Sequence, residues 1–531
     1  MTPTPRLAGI LLLAMALAGP AAGQGFFDRL GKGVDKSLGL GSDENKQGSD
    51  ADKDKRTIDS MQANPGACGG DGRASLLNAK VDQGLGVIDS AALADYLNAV
   101  LAKLVAASPK PDCNVRVFVT PHDSVQAVAL ADGGILVGIG FLRNLKSEDE
   151  VACLLGHELS HILKNHHSSD SFVDTQDELL KGLDAANTAG AMFAGTVDPT
   201  LSGKIATVSD VGTAVHSVSE GLIAPAWTSE QEDEADLLGS DLCSAAGYNP
   251  RAMASVLEVI AAHEAANAQV DEERKRLQNE KLKETVVESA RSTNTSDTWS
   301  LIANAAKVTT AAVGSMASDK REHRPASERK ESVNGYVRDR HGAERRRKFA
   351  VEAWERTLAS GASGAVFDHY RDASEARRLA YTGGDLKDAE RLAKKSVDGD
   401  FSGQPYPRLA QSEVRLKQGD EKGAEQSLNV ALKNAEAPWQ IYRSLADLHL
   451  YVRDVKAATE TVARADATFG EPLGIAPFAI KVYRAAGDRQ KVLYYLDRCD
   501  RAGKRAHLEV CLASAGMTKE QYQQQRLRRG G

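Results

Sequence analysis

The last third of the chain repeats at a fixed interval, and this limits its fold more than any other feature of the sequence. Four aspartates recur 35, 34 and 34 residues apart, namely Asp385, Asp420, Asp454 and Asp488. Four residues after each stands a small or β-branched apolar side chain, namely Ala389, Ala424, Ala458 and Val492. A turn followed by a small residue, where the second helix of a pair approaches the first, is typical of tetratricopeptide repeats. We therefore predict that residues 351–531 stack into an α-solenoid, the alternative being a coincidental set of helical hairpins.

The composition excludes several classes of protein. Hydrophobic residues make up 42% of the 531 residues and charged residues 26%, which excludes a disordered, collagen-like or polytopic membrane protein. The formal net charge of −7 disfavours a basic nucleic-acid-binding protein. We therefore expect no nucleic-acid partner and at most a peripheral association with a membrane.

The N-terminal segment is typical of an exported protein. Arg6 precedes an apolar run, Leu7 to Gly19, and small residues precede Gln24, which predicts a signal peptide over residues 1–23. The alternative is an uncleaved anchor. Residues 24–64 are predicted to be a flexible linker, because residues 41–56 contain no aliphatic side chain larger than that of alanine. The six cysteines that follow permit disulfides in fifteen possible pairings.

The middle of the chain predicts a small sheet followed by a buried helix. Alternating valines at 115, 117 and 119 indicate a strand, and Val125–Leu130 and Ile135–Ile139 flank a glycine-rich turn, which predicts a hairpin. We expect Ile135–Ile139 to be an exposed edge to which an extended substrate could add. A helix is predicted to begin at Ser147, with Glu150 as the reciprocal partner of that cap.

This helix carries the motif His157-Glu158-Leu159-Ser160-His161. Residues four apart share one face of a helix, so both imidazoles can bind one zinc ion, and Glu158 beside them can polarise a bound water. A catalytic zinc site needs a third protein ligand and one open position. Glu232 can supply that ligand, and Asp236, one turn later, can accept a hydrogen bond from a ligand imidazole. The alternative for Glu232 is a capping box with Ser229.

These segments resemble the HtpX-type zinc metallopeptidases of peptidase family M48, and within them the periplasmic BepA-like group, the β-barrel assembly-enhancing proteases. The matching stretches are Gly133–Ile135, Leu155–His161, Glu232–Gly239 and Gly247–Pro250. The resemblance implies that His157, His161 and Glu232 bind one zinc ion per chain and that Glu158 is the general base. It implies a mainly α fold: a zincin-like metallopeptidase domain with a small β-sheet edge, followed by the repeats. We place that domain at residues 65–350, with a charged insertion at about 264–322.

Relatives of this kind also place a histidine, followed by a proline and later an arginine, on a loop that can cap the metal. The matching residues are His323, Pro325 and Arg329, with one residue inserted before the proline. A role of His323 as a gate or fourth ligand is a hypothesis, and the alternative is a histidine on a surface loop.

Two further expectations concern the surroundings of the motif. His166 and His167 follow it closely, and we expect them to be exposed at the end of the helix, where positive charge is favoured. The alternative is that they support the metal ligands or bind a metal adventitiously. Cys153 lies one turn before His157, and Cys243 lies seven residues after Asp236. If the two helices meet at the metal, the sulfurs lie close together, so we predict a disulfide between them.

The predicted function is that of a periplasmic zinc metalloendopeptidase. The resemblance implies unfolded or misassembled envelope proteins as substrates, with outer-membrane proteins and their assembly machinery as partners of the repeats. One alternative is a non-proteolytic chaperone or scaffold that acts through the repeats. Another is a zinc hydrolase that cleaves cell-wall peptides.

Overall fold

The computed structural model describes residues 68, 70, 72–168, 227–269, 276 and 324–529. All of them belong to one unit of the chain, Arg56–Gly531. The predicted signal peptide, the predicted linker, most of the charged insertion and His323 lie outside the described residues. No helix within the described residues is both long enough and apolar enough to cross a membrane.

The first part of the unit contains a small sheet between helices. Its elements are α1 (Arg73–Val81), α2 (Ala91–Ala107), β1 (Arg116–Thr120), β2 (Ala127–Ala129), β3 (Gly134–Gly138), α3 (Ile139–Asn144), α4 (Glu148–Leu163), α5 (Ser229–Ala245) and α6 (Ala326–Arg340). Residues 252–269 are also helical. The prediction of a mainly α fold with a small sheet is confirmed.

The order of the strands in the sheet is β1-β3-β2. β3 pairs in parallel with β1 and antiparallel with β2, as the predicted hairpin requires. The expectation that Ile135–Ile139 forms an exposed edge is wrong, because β3 is the middle strand and is buried along its whole length. The error arose because the sequence shows the hairpin but not the side on which a distant parallel strand joins it.

Helices α4 and α5 pack directly against each other and hold most of the candidate site. Two glycines allow this close approach. A Cβ atom on Gly239 would lie 2.8 Å from the backbone nitrogen of His157, and one on Gly156 would lie 3.1 Å from the carbonyl oxygen of Gly239. A disulfide between Cys153 and Cys243 joins the same two helices. The structure thus pairs the two cysteines between which a disulfide was predicted from the sequence.

The second part of the unit consists of helices. They are α7 (Val351–Ala359), α8 (Gly361–Thr382), α9 (Leu386–Ser396), α10 (Pro405–Lys417), α11 (Glu421–Ala431), α12 (Trp439–Tyr451), α13 (Val455–Phe469), α14 (Ala476–Ala485), α15 (Arg489–Arg501), α16 (Arg505–Ala515) and α17 (Lys519–Arg529). The predicted helical region after the sheet is therefore confirmed. The apolar core continues into it from the first part, and the indole of Trp354 donates a hydrogen bond to the carbonyl of Leu145 at 2.9 Å.

The repeating aspartates begin the second helix of each pair. The carboxylates of Asp385, Asp420, Asp454 and Asp488 each accept a hydrogen bond from a backbone N–H in the first turn of α9, α11, α13 and α15. Such a bond satisfies one of the donors that a helix start leaves without a partner. The paired helices contact each other closely, and the alanines of the repeat are buried between them. The period in the sequence is thus a period of helix starts.

Candidate metal centre

Local capping leaves the carboxylate of Glu232 available for the site. Helix α5 begins with a capping box formed by Thr228 and Gln231, in which each side chain binds the backbone N–H of the other residue. The alternative of a box between Ser229 and Glu232 is therefore wrong. In α4, Ser147 caps the helix as predicted, whereas the Glu150 carboxylate accepts from the N–H of Lys146 at 2.5 Å and not from Ser147.

The structure brings together His157, His161 and Glu232. The Nε2 atoms of the two imidazoles lie 3.2 Å apart. Nε2 of His157 lies 3.6 Å from one carboxylate oxygen of Glu232, and Nε2 of His161 lies 3.7 Å from the other. Ligands placed about 2.0–2.1 Å from a tetrahedral zinc ion lie about 3.3 Å apart, so the three groups match that geometry closely.

The polar atoms of the site indicate that it is built for a cation. Two buried carboxylate oxygens, Oε1 of Glu232 and Oε2 of Glu158, have no hydrogen-bond donor among the described residues. A buried oxygen without a donor is costly, and a divalent cation would satisfy it. Two imidazoles and one carboxylate are also the donor set of many catalytic zinc sites. The residues present therefore fit zinc, with His157, His161 and Glu232 as its ligands.

Glu158 lies beside these three groups and is almost completely buried. Burial raises the pKa of its carboxyl group to about 7, and the nearby Glu232 carboxylate also raises it, against the opposing effect of His157. The backbone N–H of Ala129 in β2 donates a hydrogen bond to this carboxylate. A carboxyl group with a pKa near neutrality is suited to take up and release a proton.

Asp236 binds the back of one ligand imidazole, as the sequence predicted. Its Oδ1 lies 3.0 Å from Nδ1 of His157. Burial alone would raise the pKa of Asp236, but the guanidinium of Arg329 and the imidazole of His157 outweigh it and hold the pKa at about 2. The carboxylate therefore remains ionised and fixes the ring with Nε2 facing the cation site.

Arg329 is a residue of the site for which no role was predicted beyond its place in the matching segment. It lies in α6, beyond the charged insertion, and binds both oxygens of Asp236 at 2.8 and 2.7 Å. A third nitrogen, Nη1, lies 2.8 Å from Oε2 of Glu232. Only the fold brings this arginine to α5, because nothing in the spacing of the residues relates the two helices.

The expectation that His166 and His167 are exposed is wrong, because both are buried. Nδ1 of His166 lies 2.8 Å from Nδ1 of His161, and Nε2 of His167 lies 2.9 Å from the carbonyl oxygen of Ala129. The indole ring of Trp227 stacks on the ring of His161, with 4.4 Å between the ring centres. The segment after α4 turns back over the site, and helical periodicity cannot predict this.

Comparison with known proteins supports the same assignment. Residues 91–314 match the sequence profile of the family described as Peptidase family M48. The chain contains a family M48 peptidase domain. The matched range holds His157, Glu158, His161 and Glu232 of the candidate site.

Several relatives of the M48 domain are named as proteases. The β-barrel assembly-enhancing protease of Yersinia pestis is 24% identical over 169 residues, which cover 32% of this chain and 33% of the relative. The mitochondrial metalloendopeptidase OMA1 of Schizosaccharomyces pombe is 27% identical over 163 residues, 31% of this chain and 42% of the relative. The metalloprotease LoiP of Escherichia coli is 26% identical over 148 residues, 28% of this chain and 51% of the relative. The chain thus matches about a third of the length of the assembly-enhancing protease.

Proposed function

We propose that this protein is a zinc metalloendopeptidase that hydrolyses unfolded or misassembled proteins of the bacterial envelope. The observation that carries the proposal is the convergence of His157, His161 and Glu232 from two helices. One potential ligand atom of each lies within 4.8 Å of the others, beside the buried carboxyl group of Glu158. The names of the relatives, all proteases, support the same chemistry.

Each residue of the site has a role in this reaction. His157, His161 and Glu232 would hold the zinc ion, which would supply Lewis-acid chemistry for polarising the scissile carbonyl and acidifying water. Oε2 of Glu158 accepts a proton from the attacking water and returns it to the leaving amine. Asp236 and Arg329 hold His157 and Glu232 in place, so that the ligands need little reorganisation.

The side of β2 that faces away from β3 is the proposed position of the substrate. The substrate would pair with the backbone groups of Ala127, because both backbone groups of Ala129 are already hydrogen-bonded, to Glu158 and to His167. In the hairpin, Gln126 and Leu130 hydrogen-bond to β3, so the backbone groups of Ala127 and Ala129 point away from it. The N–H of Ala129 donates to Glu158, which places this edge beside the site. An extended segment that pairs with the edge would be bound mainly through its backbone, which favours unfolded chains of varied sequence.

The cellular setting of the reaction is part of the proposal. The predicted signal peptide and the similarity to the assembly-enhancing proteases support a periplasmic location and a role in outer-membrane protein quality control. The helices from α8 onward, interpreted as tetratricopeptide repeats, would bind client or partner proteins. The alternative is that the repeats bind these proteins without any cleavage at the candidate metal centre, in which case the protein is a non-proteolytic chaperone or scaffold.

The test compares the wild type with Glu158→Gln on an unfolded substrate such as casein, with zinc content measured in both. We expect one zinc per chain in both proteins and a cleavage rate about 10²–10⁴-fold lower in the variant. Glu230→Gln is the matched control, because Glu230 is an exposed glutamate at the start of the same helix as Glu232. Equal cleavage of casein by the wild type and by Glu158→Gln would refute the mechanism.

Two other outcomes would favour the alternative functions. If the wild type suppresses the aggregation of unfolded proteins without cleaving them, the chaperone is favoured. If it releases peptides from purified peptidoglycan and cleaves no casein, the cell-wall hydrolase is favoured.

A further inference from the structure

A second pair of residues, His166 and Glu234, lies on the side of the His161 ring that faces away from the cation site. Helix α4 ends before Asn165, whose positive φ of 53° reverses the chain and returns His166 to the site. Nδ1 of His166 lies 2.8 Å from Nδ1 of His161, and Nε2 of His166 lies 3.0 Å from Oε2 of Glu234. Glu234 also accepts from Nζ of Lys164 at 2.7 Å.

We infer that His166 and Glu234 are positioning residues that fix the tautomer and orientation of His161 for metal binding. This inference rests on the proposed function, because it assumes that His161 is a ligand. It assigns a role to two residues that neither touch the metal nor react with the substrate. The alternative is a purely structural hydrogen bond at the end of the helix.

The directions of these hydrogen bonds follow from the bonding capacity of each group. An ionised carboxylate only accepts, so Nε2 of His166 donates to Glu234. In the neutral ring, Nδ1 of His166 then accepts, and Nδ1 of His161 must donate to it. The lone pair of His161 is thereby left on Nε2, the atom that faces His157 and Glu232. The opposite tautomer of His161 would place a hydrogen on Nε2 and prevent metal binding.

Both ligand imidazoles are thus held from behind by carboxylates of α5. Asp236 binds His157 directly, whereas Glu234 acts on His161 through the ring of His166. The intervening imidazole bridges the greater distance, since Glu234 lies on a different side of the helix from Glu232 and Asp236. Trp227 stacks on His161 and restricts the rotation of that ring.

Because both rings are buried, a water molecule cannot readily replace the hydrogen bond that His166 makes to His161. The side chain of His161 is 0% exposed and that of His166 is 6% exposed. If the acceptor on His166 is removed, the Nδ1–H of His161 loses its partner in a site closed to solvent. Removal of such partners of metal ligands typically weakens metal binding about 10–100-fold.

The test measures zinc affinity of the full chain by competition with a chromophoric chelator. His166→Phe keeps a ring but removes the acceptor, and we expect zinc to bind about 10–100-fold more weakly. His166→Asn can place its amide oxygen where Nδ1 was, so part of the affinity should return. Glu234→Gln still accepts from His166 and should have a smaller effect. The visible spectrum of the cobalt-substituted protein should change in His166→Phe, because the orientation of His161 is altered.

His167→Phe is the matched control. It removes a second buried histidine from the same turn, but one that hydrogen-bonds to β2 and not to His161. Its zinc affinity should equal that of the wild type within about twofold, because the tautomer of His161 does not depend on it.

Three outcomes separate this inference from the proposed function. A wild type that binds no zinc refutes both. Loss of zinc in His161→Ala, with wild-type affinity and an unchanged cobalt spectrum in His166→Phe, refutes only the role of His166. If His166→Phe does not fold, as judged by circular dichroism, Glu234→Leu decides, because it removes the acceptor that fixes the tautomer of His166. Wild-type zinc affinity and an unchanged cobalt spectrum in Glu234→Leu overturn the inference, and a weaker affinity supports it.

Discussion

Two buried arginines, one beside the candidate metal centre and one in the helical region, form similar ion pairs that differ in what they leave unsatisfied. Arg377 in α8 binds both oxygens of Glu413 in α10, at 2.6 and 3.1 Å, and its guanidinium lies over the ring of Tyr406. Arg329 binds Asp236 in the same two-pronged manner but also contacts Glu232. The first pair is complete in itself, whereas the second leaves one carboxylate oxygen of Glu232 without a donor among the described residues.

This difference separates a structural pair from a prepared binding site. In the helical region, one positive charge meets one negative charge between two helices of the stack. Around the candidate metal centre, Arg329 lies near two carboxylates, and Glu158 adds a third carboxyl group beside them. A surplus of buried acceptors is unfavourable unless a cation completes it. The unequal charge balance is therefore what distinguishes the candidate metal centre from the pair in the helical region.

The largest expected effect comes from removing each arginine in turn. Arg377→Met leaves Glu413 buried and unpaired, and it should lower the free energy of unfolding by about 3–5 kcal/mol, with or without zinc. Arg329→Met should cost less in the zinc-loaded protein than after chelation, because the cation compensates the remaining carboxylates. Urea unfolding of both variants, with zinc and with a chelator, measures this contrast.

The double variant Arg377→Met/Glu413→Leu is the control for the first pair. It should recover most of the lost stability, because an apolar replacement of a buried pair is often neutral. An identical response of Arg377→Met and Arg329→Met to zinc would contradict the distinction between a closed pair and a site prepared for a cation.

A smaller effect concerns the pH dependence of the zinc-free protein. The pKa of Glu158 is raised by burial from its ordinary value of 4.5 to about 7, so the folded state binds more protons than the unfolded chain between these values. Stability from this group is therefore present below pH 4.5 and is lost as the pH rises through 7. Glu158→Gln should stabilise the zinc-free protein at pH 8, on the order of 1–3 kcal/mol, and less at pH 5.

Urea unfolding of the chelated proteins at the two pH values measures this difference. Glu230→Gln should change neither value, since its side chain is exposed. Asp236 has the opposite shift, with a pKa near 2, so its contribution is present above its ordinary value of 3.8 and is lost only as the pH falls through about 2. A stabilisation by Glu158→Gln that is equal at pH 5 and pH 8 would show that the carboxyl group does not titrate as described.

The smallest effect concerns the turns of the helical region. Arg453 occupies the position of the repeat where Gly419 and Gly487 stand, and all three have positive φ values, 64°, 76° and 71°. A residue with a Cβ atom is strained in this conformation, so Arg453→Gly should raise the free energy of unfolding by about 0.5–1 kcal/mol. Thermal unfolding provides the measurement, with Arg464→Gly in the middle of α13 as a control that should destabilise. Destabilisation by Arg453→Gly would mean that its side chain contributes contacts that exceed the backbone strain.

Much of the fold was predictable because its signals are local. The aspartates of the repeat cap helices, and the hairpin around Gly133 has its own turn chemistry. The motif His157–His161 lies on one helical turn, so its two imidazoles share a face whatever surrounds them. In each case, residues close in sequence interact with each other, and short-range geometry is sufficient.

What the sequence alone determined, then, is a pair of imidazoles and a neighbouring carboxylic acid on one helix, together with a series of capped helix pairs. The tertiary structure decided which strand is the edge, that Arg329 reaches α5 from beyond the insertion, and that His166 turns back to His161. These contacts join groups whose meeting depends on how whole elements pack, and side-chain periodicity carries no information about that packing. The spacing of residues on one helical turn is a local property that the sequence contains. The balance of charge around the candidate metal centre depends on the packing of α4, α5 and α6, which only the tertiary structure determines.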